Sequence, residues 1–165
     1  MEKEKTKIYQ KGEKVLNQKA REVPLDKIGE KKFQDIIKKL ERVIFENDEA
    51  LAAAAPQVGD PWRIFAVSEW ALHPNEKKAD FKNIVFINPK ITKTSKETSL
   101  APESCLSAPQ YYGNVKRAQK VKVEAYDENG EKFRRGASGL LAQVIQHATD
   151  HLDGILFVDK LKSKS

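Results

Sequence analysis

Residues 138–154 constrain the fold more than any other stretch, because they combine a helical apolar pattern with two histidines one turn apart. Leu140, Leu141, Val144, Ile145 and Ala148 recur at three- and four-residue spacing, from a start near Ser138 to a stop at Gly154. The spacing predicts a helix with a buried face. His147 and His151, at i and i+4, share one side of it and can aim ring nitrogens at a single ion. Cys105, the single cysteine, could add a thiolate from a distant segment. Three ligands leave a fourth position open, as a catalytic rather than a closed structural metal site requires. The plainer alternative is an accidental histidine pair and a cysteine that packs as a small hydrophobe.

The rest of the chain reads as a single α+β domain over residues 1–165. Its 165 residues, 39% of them hydrophobic, suffice for one core. Residues 1–25 are charged, with a few apolar residues (Ile8, Val15, Leu16, Val23, Leu25), and are expected to form an extended arm that docks at a few points. Asp26 reads as the N-cap of a helix of about twenty residues with Phe33, Ile36, Ile37, Leu40, Val43 and Ile44 on its core face, ending near Asn47-Asp48. Arg63–Val67 and Ile84–Ile87 read as strands, the second stopped by Asn88-Pro89, with a surface loop over 73–82 between them. Val121, Val123 and Ala125 alternate with Lys122 and Glu124, and Asp127-Glu128-Asn129-Gly130 predicts a hairpin returning through Lys132-Phe133. Helices separated by antiparallel-looking strands give the α+β class. No apolar run approaches the ~20 residues of a membrane span, no secretory h-region follows Met1, and one cysteine allows no intrachain disulfide. A cytoplasmic protein with no membrane partner is therefore expected. The net charge of +6 is spread over the chain, which suits a solvated basic surface or weak attraction to a polyanion such as the ribosome, not sequence-specific nucleic-acid binding.

Glu103-Ser104-Cys105-Leu106-Ser107, Ala54-Ala55-Pro56-Gln57 and Gln146-His147-x-x-Asp150-His151-Leu152-x-Gly154 together resemble the three signature motifs of peptide deformylases. Tyr112-Gly113-x-Val115-x-Arg117, Ala137-x-Gly139-Leu140-Leu141-Ala142 and Leu156-Phe157-x-Asp159-x-Leu161 extend the likeness, which runs from about Lys14 to Leu161. The resemblance implies a bacterial or organellar metal hydrolase that removes the formyl group from the initiator methionine of nascent proteins. It implies antiparallel strands around a central C-terminal helix, with Cys105, His147 and His151 as ligands of one divalent ion. Fe2+ is the ion it suggests, with Zn2+, Ni2+ and Co2+ also suited to one sulfur and two nitrogens. Gln57 would give its side-chain amide, and Leu106 its backbone N–H, to the formyl oxygen. Glu103, paired with Arg117, would hold the cysteine strand beside the site, and the peptide would lie along Ala50, Leu51, Ala52 and Glu103. Val144 and Ile145 would line the pocket for the first side chain, or simply pack in the core.

Three departures bear on activity. The family pattern has glycine where this chain has Ala50 and Ala52, and usually where it has Ser104, so the peptide-binding edge is expected to be reshaped or narrowed. It also has glutamate where this chain has Ala148, and in His-Glu-x-x-His sites that residue moves protons for the attacking water. Asp150 and Thr149 are not convincing replacements. Two readings stand: a deformylase of impaired turnover, or a deformylase-like module that binds a metal and peptide N-termini without hydrolysing them.

Overall fold

The computed structural model describes residues 4–161. Helix α1 (Lys31–Glu46) is followed by strands β1 (Ala52–Ala54), β2 (Ile64–Ser68), β3 (Asn83–Thr94), β4 (Thr98–Glu103), β5 (Gly113–Ala118), β6 (Lys120–Tyr126) and β7 (Lys132–Ser138), and then by helix α2 (Gly139–Leu152). A five-stranded sheet has the order β1-β2-β3-β6-β7, and β4 and β5 form a separate two-stranded ladder. Every pairing is antiparallel, as the α+β reading expects.

β2 shows how the two layers are held. All five of its residues are buried. Phe65 and Val67 join Leu141, Ala142 and Ile145 of α2 in one core cluster, while Ile64 and Ala66 join Phe33, Ile37, Leu40 and Ile44 of α1 in the other. A strand covered on both faces needs apolar residues at every position, which explains its unbroken run.

Two boundaries differ from the sequence reading. The first helix is sixteen residues, Lys31–Glu46, and not twenty from Asp26. Leu25–Lys27 forms a 3-10 turn, Gly29 follows with poor helix propensity, and Gln34 Nε2 donates to the Ile28 carbonyl at 2.8 Å, closing a bend before the helix starts. Asn88-Pro89 does not stop the third strand. Asn88 takes φ 50, a left-handed conformation that asparagine tolerates, and the register shifts between Ile87 and Lys90 as a bulge. Its side chain pairs with both the N–H and the C=O of Val23, each at 2.8 Å, so the bulge is also the clasp for the N-terminal arm. The arm buries Leu16, Ala20 and Val23, but Leu25 stays 51% exposed. The β6–β7 hairpin is as expected; β1 and the β4–β5 ladder were not anticipated.

The 73–82 segment is exposed but anchored. Lys78 Nζ donates to the carbonyls of Ile44 at 2.6 Å, Asn47 at 2.7 Å and Asp48 at 3.3 Å, closing the C-terminus of α1. Lys78→Ala is expected to cost about 1–2 kcal/mol, the scale of hydrogen bonds made by a charged donor. A urea-midpoint shift at unchanged slope would measure it; no shift would mean that solvent caps the helix equally well.

Candidate metal centre

α2 begins at Ser138 in extended conformation and buries one side against the five-stranded sheet. The other side brings His147 and His151 toward Cys105, in the turn after β4 where the Ala108 N–H donates to the Cys105 carbonyl at 3.0 Å. Cys105 Sγ lies 3.4 Å from His151 Nε2. One ligand atom from each of Cys105, His147 and His151 lies within 4.8 Å of the other two. The accidental-pair alternative therefore loses its ground: three side chains able to ligate a metal meet from two distant segments.

His147 is oriented from behind. Glu103 Oε1 sits 2.8 Å from His147 Nδ1, which leaves Nε2 for the shared space. Glu103 is itself held by Arg117, whose Nε donates to Oε2 at 2.6 Å and whose Nη2 donates to Oε1 at 2.7 Å. Arg117 Nη1 donates to Asp150 Oδ2 at 2.7 Å, and Lys160 Nζ closes the chain on Asp150 Oδ1 at 3.1 Å. The Arg117 and Glu103 side chains are only 3% and 2% exposed, so the pair is a buried, doubly bonded one and not a surface salt bridge.

The electrostatics follow from that geometry. Burial opposes ionisation of Glu103, but the bonds and charge of Arg117 and His147 outweigh it and hold the carboxyl at about 2. Burial likewise opposes the Cys105 thiolate, and the bonds from His147 and His151 outweigh it, bringing the thiol down to about 5. A thiolate and two imidazoles suit a divalent ion of borderline softness. His151 is 1% exposed, and its Nδ1 has no partner among the described residues; its Nε2 is the nitrogen that faces the sulfur. The donor set fits a metal.

Cys105, His147 and His151 all line a cavity of about 300 Å³. Gln57 enters from the 3-10 turn Ala55–Val58, which follows β1. Its Oε1 accepts from the Ala54 N–H at 3.0 Å, which turns the amide nitrogen toward Cys105 Sγ at 3.4 Å and Ser107 Oγ at 3.2 Å. Leu106 also lines the cavity, and its N–H meets no acceptor among the described residues. Ala50, Leu51 and Ala52 form one wall and Val144 part of another. Ile145 does not belong there: one residue along, the helix has turned by about 100°, and Ile145 is fully buried in the core behind the cavity. Glu103 borders the cavity, and both its side-chain oxygens are engaged by Arg117 and His147, which leaves only its backbone for a peptide.

At the positions where the resemblance led us to expect glycine, the side chains bear on space rather than strain. The one non-glycine residue with positive φ among the described residues is Asn88, so Ala50, Ala52 and Ser104 sit in ordinary backbone conformations. All three line the cavity, and their β-carbons take room from it. Ala148 is 2% exposed, lies between the histidines on the cavity lining and offers no proton acceptor. Of the carboxylates that line the cavity, Glu103 is engaged by Arg117 and His147, and Glu49 is exposed with no partner among the described residues. Asp150 is engaged by Arg117 and Lys160, and Thr149 Oγ1 donates to the Ile145 carbonyl at 2.7 Å. Two supports escaped the sequence reading: Glu103 behind His147, and the buried Ser107 hydroxyl beside Gln57. The first was within reach, since a carboxylate two residues before a ligand cysteine points to the same side of an extended chain.

Comparison with known proteins agrees with this geometry. The family model described as polypeptide deformylase matches residues 5–165. The chain is 35% identical over 167 residues to the chloroplastic peptide deformylase 1A of Solanum lycopersicum, covering 96% of this chain and 60% of the relative. It is 45% identical over 111 residues to a peptide deformylase of Treponema pallidum (strain Nichols), covering 67% of this chain and 62% of the relative. It thus spans about three fifths of the length of these curated relatives. The Met-Ala-Ser-bound crystal structure of a class I type b peptide deformylase from Acinetobacter baumannii superposes with a TM-score of 0.82 at 32% identity, over 93% of this chain and 96% of that one.

Proposed function

Because the chain belongs to the polypeptide deformylase family, we propose that it is a metal-dependent hydrolase of the N-formyl group on the initiator methionine of nascent proteins, with turnover reduced by Ala148. The observation that carries this reading is the convergence of Cys105, His147 and His151 at a cavity that Gln57 and Leu106 also face. The ion would be Fe2+, with Zn2+, Ni2+ or Co2+ able to use the same donors. When bound, it supplies a more acidic water and polarises the formyl carbonyl.

The chain's own residues do the rest. β1 lies at an edge of the five-stranded sheet, and β4 has a partner on one side only. An extended peptide laid between them could use the free backbone groups of both, as strand addition does. Its N-terminal side chain would rest against Val144. Gln57 Nε2 and the Leu106 N–H would donate to the formyl oxygen as negative charge develops there, and preorganised donors of this kind are worth ~2.7–4 kcal/mol each. Glu103 keeps the His147 ring in place through Nδ1. The missing contribution is a group to take a proton from the attacking water and give it to the departing amine, a role usually worth 10²–10⁴-fold.

One observation favours the second reading, a module that binds a metal and peptide N-termini without hydrolysis: Ala148 offers no acid–base group between the histidines, and Glu103 and Asp150 are held by Arg117, which leaves Glu49 as the unengaged carboxylate of the cavity lining. Either activity would belong in a bacterial cytoplasm or an organellar stroma or matrix, near formylated chains. The charge of +6 would favour weak contact with the ribosome. No helix among the described residues is long and apolar enough to cross a membrane.

Formate release from formyl-Met-Ala-Ser, measured beside the metal content of protein purified without chelator, separates the readings. Metal with slow release supports the impaired hydrolase; metal and peptide binding without any release supports the module. About one divalent ion per chain is expected, and Cys105→Ser is expected to abolish it. Protein that holds no ion would overturn both.

A further inference from the structure

The N-terminal arm runs behind the two segments that carry Gln57 and Leu106, on bonds that the catalytic reading leaves unexplained. We propose that residues 9–11 are a positioning strap, which fixes the spacing of Gln57 Nε2 and the Leu106 N–H and thereby aligns the two donors to the formyl oxygen. The inference rests on the proposed hydrolase reading for its consequence, but the strap itself is a matter of geometry.

Three successive residues bind three carbonyls. The Tyr9 N–H donates to the Gln57 carbonyl at 2.7 Å, and the Lys11 N–H donates to the Ser107 carbonyl at 2.7 Å. Between them, Gln10 Nε2 donates to the Leu106 carbonyl at 3.1 Å. The targets belong to separate parts of the fold. Gln57 follows β1 of the five-stranded sheet, whereas Leu106 and Ser107 lie in the connection between β4 and β5, which form their own ladder. Strand pairing therefore does not set the distance from one donor to the other. A peptide plane whose carbonyl is hydrogen-bonded is fixed in orientation, so bonds to the Gln57, Leu106 and Ser107 carbonyls restrict the backbone from which both donors project.

The strap is itself held at both ends. Tyr9 packs closely on Gly59, where a β-carbon would stand 2.7 Å from two carbons of the ring. Gly59 has φ 91, so a glycine meets two demands here: the left-handed turn after Val58 and the close seat for Tyr9. Upstream, the Thr6 N–H donates to Glu46 Oε1 at 2.9 Å, at the end of α1. Downstream, the Gln10 N–H donates to Glu13 Oε1 at 2.9 Å. The direct bond from Gln57 Nε2 to Ser107 Oγ, 3.2 Å, shows that the two loops lie close enough for small displacements to matter.

Gln10→Ala, which removes the bond to Leu106 along with a local one to the Ile8 carbonyl, and Gln10→Ala with Lys11→Pro, which also removes the bond to Ser107, test the strap. Each is made in the chain as it stands and together with Ala148→Glu. In the Ala148→Glu background the double variant is expected to lower kcat by about 10- to 100-fold, the scale of a misplaced oxyanion donor, with KM and metal per chain unchanged. In both backgrounds, hydrogen exchange at the Leu106 amide is expected to quicken and the Gln57 side-chain amide resonances to shift. Unchanged kcat and unchanged exchange would overturn the proposal. So would a fall in kcat that arrives with lost metal and raised KM, which marks a general loosening of the fold. If the double variant does not fold, Gln10→Ala alone must show the same split at smaller amplitude. If Ala148→Glu proves inactive while the exchange signature moves, the strap stands and the account of Ala148 as the sole defect of the proposed hydrolase fails.

Discussion

Replacing Ala148 by glutamate is expected to raise formate release from formyl-Met peptides by at least ~10²-fold, the lower end of what a restored acid–base group contributes. The ligands, the cavity and the amide of Gln57 are already assembled, so one group is missing and the rest need not move. Ala148 borders the cavity beside both histidines, which directs a longer side chain at that position into the open space. A carboxylate there would stand near the ion and the two imidazoles, where its charge is favoured. Glu103 and Asp150 are already engaged by Arg117, so Glu49, exposed on the cavity lining, is the carboxylate left to support residual turnover. A single-turnover assay with metal shown to be bound decides the matter. No gain would mean that the defect lies in the wall at 50–52, where two β-carbons reduce the room for the peptide; the glycine double variant at those positions would then be the one to recover activity.

What the sequence disclosed follows from the range of the interactions concerned. α2 was legible to within a residue at its start, because its apolar spacing and Gly154 are local signals. The β6–β7 hairpin was legible because Asp127–Gly130 carries its own turn chemistry. β1 was hidden: three alanines have no strand preference, and they are extended because β2 pairs with them. Asn88-Pro89 misled for the opposite reason. Those residues usually end a strand, but here Asn88 closes a bulge through two bonds to Val23, sixty-five residues earlier, which no local pattern reveals. At the metal centre the ligand types and their spacing were readable, and so was the Glu103–Arg117 pair. The contact of Glu103 with His147, and the exclusion of Ile145 from the cavity, needed the packing of α2 against the sheet to be known.

Glu103→Ala is expected to cost about 3 kcal/mol of stability, the low end for breaking a buried ion pair, and to weaken metal binding about 10- to 100-fold. The stability loss arises because Arg117 stays behind, 3% exposed, with Asp150 as its remaining carboxylate partner. The affinity loss arises because His147 Nδ1 loses its acceptor, so the ring can turn and its Nε2 no longer rests opposite Cys105. The two effects separate experimentally. Urea denaturation in the presence of chelator reports the ion pair, and competitive metal titration reports the ring. Glu103→Gln divides them further, since an amide oxygen can still accept from Nδ1 while the charge on Arg117 goes unmatched; it should keep most of the metal affinity and lose much of the stability. The pH dependence has a definite sign. Glu103 is held at about 2 in the fold, below the ordinary glutamate value near 4.3, so its contribution is complete above that ordinary value and disappears as the pH falls toward 2. Wild type and Glu103→Gln should therefore converge in stability as the pH falls from about 4.3 toward 2, and differ by a constant margin above about 4.3. Curves that stay parallel through that range would show that Asp150 alone suffices for Arg117, and that the carboxylate at 103 serves the histidine only.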